Sequence, residues 1–115
     1  MKTRNWILVT AAAIVLALPA FLILGQSVAA ASPATVDVKI DNFSFSPPTI
    51  TVKAGTQITW TNADDISHNV VSNDHSFKSK VLDTDEKFTY TADKPGTYTY
   101  YCSIHPKMTG KVVVE

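Results

Sequence analysis

Thr97-Tyr98-Thr99-Tyr100-Tyr101-Cys102-Ser103-Ile104-His105-Pro106-Lys107-Met108 reads as a strand running into a loop. Tyr98, Tyr100 and Cys102 fall on one side of a period-two pattern, as in a half-buried β-strand. After Cys102 the alternation stops. The chain's only cysteine is then followed by a histidine and a methionine at C-x-x-H-x-x-M spacing. A rigid strand that delivers thiol, imidazole and thioether to one short loop sets both the architecture and the chemistry to look for.

The neighbouring sequence keeps the same β rhythm. Lys94-Pro95-Gly96 turns the chain into the tyrosine strand, and Lys111-Val112-Val113-Val114 closes it as another strand of uncertain inward face. Upstream, Val36-Asp37-Val38-Lys39-Ile40 alternates, and Pro47-Pro48 then forbids a central strand. Ile50-Thr51-Val52 and Gln57-Ile58-Thr59-Trp60-Thr61-Asn62 resume the pattern, with Ala54-Gly55 turning between them. Asn62 to Asp65 reads as a loop, His68-Asn69-Val70-Val71 as the start of a short strand, and Ser72 to Lys80 as a surface excursion. Lys87-Phe88-Thr89-Tyr90-Thr91 alternates again. Seven or eight such runs, frequent turns and no helical periodicity predict an all-β sandwich or barrel. The expected core is Val36, Val38, Ile40, Ile50, Val52, Ile58, Trp60, Val70, Phe88, Tyr98 and Val113 or a neighbour.

Of the 115 residues, the first 31 carry a different signal. Lys2 and Arg4 precede an apolar run from Trp6 to Leu24, and Ser27-Val28-Ala29-Ala30-Ala31 supplies small residues at its end. This predicts an export signal over residues 1–31, with an uncleaved single-span anchor as the alternative, and one domain over residues 32–115. In that domain eight lysines stand against ten acidic residues, a net charge of −2. No basic stripe supports nucleic-acid binding. An exported domain with a single cysteine has no disulfide staple, and its lone thiol is best accounted for as a metal ligand.

Each donor alone has an ordinary reading: Cys102 as a small core residue, His105 as a surface histidine, Met108 as core filler. Together they supply three of the ligand types of a blue-copper site, two imidazoles and a thiolate with a distant thioether. A second histidine must come from elsewhere. His68 begins an apolar pair after the Trp60 strand, whereas His75 lies among polar residues in Asp74-His75-Ser76. Zinc accepts Cys and His, but thioether is a poor zinc ligand, and no acidic residue stands beside these donors in sequence to act as a base. A c-type haem would need C-x-x-C-H, which is absent. A cysteine hydrolase built on Cys102, His68 and Asn69 leaves Met108 without a role.

Trp60-Thr61-Asn62, His68-Asn69-Val70, the Gly96-to-Met108 segment and the closing Gly110-to-Glu115 run together resemble the cupredoxins, small type-1 blue-copper proteins, and within them the amicyanin branch. Plastocyanins and pseudoazurins place four residues between the loop histidine and methionine, whereas this chain has only Pro106 and Lys107. The resemblance covers roughly Val36 to Glu115 and implies a Greek-key β-sandwich binding one type-1 copper through His68, Cys102, His105 and Met108. It implies that the Asn69 N–H faces the Cys102 sulfur while its side chain ties to Ser103. It further implies a monomeric, periplasmic one-electron carrier, not an enzyme, with electrons leaving through His105. Transient partners, an electron-donating dehydrogenase or other donor and a c-type cytochrome or oxidase acceptor, would dock on Ile104, Pro106 and Lys107. Amicyanins carry proline and phenylalanine where this chain has Ile104 and Lys107. A membrane contact is expected only if the N-terminal segment is retained. A copper chaperone or buffer would use the same donors, although methionine- or histidine-rich tracts that would favour it are missing.

Overall fold

The computed structural model describes residues 34–115, together with positions 13–15, 17 and 19; the export signal expected over residues 1–31 lies almost wholly outside the described residues. Eight strands make up two mixed four-stranded sheets: β1 Thr35–Asp41, β2 Ser44–Ser46, β3 Thr49–Val52, β4 Thr56–Asn62, β5 Val71–Ser72, β6 Lys87–Ala92, β7 Gly96–Tyr101 and β8 Thr109–Val114. The first sheet runs β2-β1-β4-β6 and the second β3-β8-β7-β5. Strands adjacent in space are mostly not consecutive in sequence, and the chain crosses between sheets as a Greek-key sandwich does. Pro47 and Pro48 stand at the crossing from β2 to β3, where a missing N–H breaks no ladder.

The period-two pattern buries one face of each strand. In β4, Ile58 and Trp60 are fully enclosed, and Asn62 continues the same inward face. Parallel pairing sets Val38 beside Trp60 and Ile40 beside Asn62, and antiparallel pairing sets Trp60 beside Phe88. In the opposite sheet Tyr98 lies beside Val112 and Tyr100 beside Gly110. The closing valine run thus turns Val112 and Val114 inward, in phase with Gly110, and leaves Val113 half-buried. Burying each such aliphatic side chain contributes about 1.5–3 kcal/mol.

An aromatic cluster joins the sheets. Trp60 stacks on Phe88 at 5.6 Å and meets the edge of Tyr100 at 5.5 Å; Phe45 meets Tyr100 at 4.7 Å. The hydroxyl end of the Tyr100 ring lies over Gly110, where any Cβ would overlap it.

Three features differ from the sequence reading. Val36 and Phe88 are only partly buried, while Phe45, Phe77 and Leu82 belong to the core. The strand expected from His68 is shorter: β5 holds only Val71 and Ser72, and His68 makes an isolated bridge to Leu82. The segment from Ser72 to Lys80 is not a plain surface excursion. Its tip, Asn73 to Ser76, is exposed, but Phe77 inserts between Trp60, at 5.6 Å, and Tyr90, at 4.7 Å. Ser72 and Ser79 make this possible by satisfying buried main-chain groups: the Ser72 hydroxyl accepts from the Phe77 N–H, and the Ser79 hydroxyl from the Val70 N–H. Buried polar groups need such partners. Serines that look like loop residues therefore fasten this flap to the core.

Candidate metal centre

Strand β7 ends one residue before Cys102, whose side chain continues the inward face of Tyr98 and Tyr100 and is fully buried. The loop beyond it closes on itself. Cys102 N–H donates to the Met108 carbonyl at 3.1 Å, and Met108 N–H donates to the His105 carbonyl at 2.9 Å. Met108 is buried and leads directly into β8. Two main-chain bonds in seven residues hold the cysteine, histidine and methionine at one end of the sandwich.

His68 reaches the same point from 34 residues earlier. Its N–H donates to the Leu82 carbonyl and its carbonyl accepts from the Leu82 N–H, at 3.1 and 2.7 Å. Its ring is fully enclosed, with Nδ1 at 3.7 Å from the Cys102 sulfur. His105 Nδ1 lies 4.0 Å from the same sulfur. Donor atoms of His68, Cys102 and His105 all fall within 4.8 Å of one another. His75 lies apart from this cluster, exposed in a turn at φ 62°.

Asn69 couples the two approaches. Its N–H points at the Cys102 sulfur from 3.5 Å, its side-chain amide donates to the Ser103 hydroxyl at 2.6 Å, and its side-chain carbonyl accepts the Ser103 N–H at 2.7 Å.

One carboxylate escaped the sequence reading, which placed no acidic group beside these donors. Asp64, four residues before His68, lies 2.8 Å from His68 Nε2 and is 8 % exposed. The same carboxylate accepts the N–H groups of Asn42 and Phe43, each at 3.0 Å. The Phe43 N–H, reinforced by His68 and the Asn42 N–H, outweighs the opposing effect of burial and holds the Asp64 carboxyl below the usual carboxylate range. The loop is preset by Asn62, which accepts the Asp64 N–H at 3.0 Å and donates to the carbonyls of Ile66 and Leu82. Asn62-Ala63-Asp64 is an Asx-type turn, the one local signal by which the position could have been found.

Asp64, His68 and Cys102 in line resemble a hydrolytic triad. The Cys102 sulfur, however, is wholly enclosed, so no substrate carbonyl can reach it. A thiol facing two imidazole nitrogens, with a thioether residue in the same loop, is a donor set suited to a soft or borderline metal, copper above all.

Only His105 approaches solvent. It is half-buried, and with Phe43, Ile104, Pro106, Lys107 and Met108 it lines a shallow apolar depression. The Phe43 ring stands edge-on to both imidazoles, 5.6 Å from His68 and 5.0 Å from His105.

The family model described as Cupredoxin-like domain matches residues 12–114. Amicyanin-alpha of Methylorubrum extorquens is 35 % identical over 95 residues, covering 78 % of this chain and 80 % of that protein. Amicyanin of Paracoccus versutus is 36 % identical over 85 residues, covering 70 % of this chain and 64 % of that protein, just under two thirds of its length. The solved structure of a reduced mutant of amicyanin superposes with a TM-score of 0.67 at 30 % identity, over 73 % of this chain and 85 % of that one.

Proposed function

The chain belongs to the cupredoxin-like family, and on that premise we propose that it carries single electrons between redox proteins outside the cytoplasm, using one copper ion held by His68, Cys102, His105 and Met108. The observation that carries this reading is the convergence of the His68, Cys102 and His105 donor atoms within 4.8 Å. A copper ion bound among them supplies a one-electron couple for which imidazole and soft sulfur together suit both oxidation states.

The protein's own residues account for the rest. Enclosure of Cys102 keeps water and external oxidants from the sulfur. The Asn69 N–H partly neutralises charge on that sulfur, and the Asn69–Ser103 pair fixes the spacing between the two ligand-bearing segments. The closed loop and the doubly bonded His68 hold the donors in place through a change of oxidation state, which keeps the reorganisation small.

His105 is the exit. Its ring edge lies in the apolar depression, where Ile104 is 44 % exposed and Pro106 and Lys107 are exposed beside it. A partner docks there over a small, short-lived interface, a dehydrogenase or other donor in one half of the cycle and a c-type cytochrome or oxidase in the other. Support for an extracytoplasmic setting comes from the basic, apolar and small-residue pattern of residues 1–31. The chaperone or buffer alternative finds no support in the fold or the relatives: His105 opens on one shallow apolar depression, and His75, the one histidine of the domain outside the donor cluster, lies apart from it.

Adding Cu(II) to the metal-free protein tests the reading. Intense visible absorption from thiolate-to-copper charge transfer, lost in Cys102→Ser, with a reversible one-electron wave, is the expected result. A colourless complex, or colour that survives Cys102→Ser, overturns it.

A further inference from the structure

In a sandwich whose other buried side chains are almost all apolar or neutral, Asp64 is the one enclosed acid among the described residues. Its position is built. Asn42 and Phe43 adopt left-handed φ angles of 49° and 56°, a costly conformation for a bulky residue such as Phe43. That turn aims two consecutive N–H groups at the carboxylate. The Asp64 main chain is held as well: its N–H by Asn62, and its carbonyl by the Thr84 hydroxyl at 2.6 Å. Every support converges on a carboxylate whose remaining contact is His68 Nε2.

His68 presents Nδ1 toward the Cys102 sulfur. A ring that gives its Nδ1 lone pair to a metal must carry its proton on Nε2, and the Asp64 oxygen at 2.8 Å is placed to accept it. Taking the copper reading above as its basis, we infer that Asp64 is the positioning residue of the site: it fixes His68 as the Nε2–H tautomer, tethers that ligand to the β1–β2 turn, and sets a fixed negative charge one imidazole away from the metal.

Two consequences follow from charge and geometry. A carboxylate behind the imidazole raises its donor strength and stabilises Cu(II) more than Cu(I), which lowers the reduction potential. The turn that grips Asp64 is also the turn that presents Phe43 to both imidazoles. The buried ligand and the ring at the solvent opening are therefore set by one carboxylate.

The test begins with the wild-type protein loaded with copper. A blue, one-electron-active protein satisfies the underlying reading, and a colourless one defeats that reading rather than this inference. In the diamagnetic Cu(I) form, nitrogen-15 NMR should show His68 protonated at Nε2, with that proton shifted downfield by a strong hydrogen bond and close to the Phe43 amide proton. An Nδ1–H tautomer, or an Nε2 proton free of a hydrogen bond, overturns the proposal without any variant. Asp64→Asn removes the charge while keeping an acceptor oxygen. It should lower Cu(II) affinity about 10- to 100-fold and weaken the preference for Cu(II) over Cu(I) by about tenfold, a rise in potential of about 59 mV. Asp64→Glu should recover part of that shift. A variant that melts at lower temperature with an unchanged potential and unchanged affinities shows a merely structural role and also overturns the proposal.

Discussion

Asn69 and Ser103 grip each other twice. The asparagine amide donates to the serine hydroxyl at 2.6 Å, and the serine N–H donates back to the asparagine carbonyl at 2.7 Å. The two residues are 34 apart in sequence, and each follows a proposed metal ligand. The spacing between His68 and Cys102 is thus fixed by a pair that is not itself among the proposed ligands. Asn69→Ala removes both bonds and leaves the Asn69 N–H to the sulfur in place. It should cost about 1–3 kcal/mol of stability and weaken copper binding about tenfold or more. Thermal melts of the metal-free protein and competition for copper check the two effects separately. Equal affinity for copper in the two proteins would contradict this role.

Gly110 lies beneath the Tyr100 ring, where a Cβ overlaps ring atoms. The ring is wedged against Phe45 and Trp60 and cannot move aside freely. Gly110→Ala should therefore destabilise by about 1–3 kcal/mol, as overpacking does, whereas Gly55→Ala meets no neighbouring atom and tests backbone strain alone at φ 92°. Chemical denaturation of the two variants separates packing from strain.

Burial pushes the Tyr100 phenol up to about 12, and its hydroxyl has no hydrogen-bond partner. Below about pH 10 both folded and unfolded chains keep the proton, and nothing is lost. Above it the unfolded phenol ionises while the folded one does not, so stability falls as pH rises from about 10 to 12, by roughly 2–3 kcal/mol at most. Tyr100→Phe should remove this share of the alkaline slope. At neutral pH it should cost little, since no bond is broken. Urea unfolding across that pH range compares the two proteins.

Leu82 is fully buried and forms both main-chain bonds to His68. Leu82→Ala should cost about 2–5 kcal/mol through the cavity it leaves. Copper that binds only the folded state should recover about 2.7 kcal/mol at a hundredfold excess over its dissociation constant. Calorimetry with and without copper measures that recovery.

The sequence carried the strands well because each inward face repeats every second residue: Ile58 with Trp60, and Tyr98 with Tyr100 and Cys102. It was ambiguous where the pattern was uniformly apolar, in Val112 to Val114, because the phase there is set by Gly110, which shows no hydrophobicity at all. It misjudged Phe77, since one aromatic among serines, lysines and acids gives no periodicity, and the serines that secure it act through main-chain bonds. Cys102, His105 and Met108 stood out because a single loop holds them, but Asp64 did not. Its partners, Asn42 and Phe43, lie more than twenty residues away, and a loop aspartate looks the same in sequence whether it faces water or a buried imidazole.

The isolated bridge between His68 and Leu82 has a kinetic consequence. His68 arrives on no strand of its own, and Cys102 comes from the far end of the chain, so their meeting closes a loop of more than thirty residues. Local segments can order early, whereas such long-range closure is slow. Metal-binding competence should therefore appear only as the sandwich assembles, after most strands have paired. During refolding in the presence of copper, the appearance of colour would mark the moment when native topology is reached, and could serve as its clock.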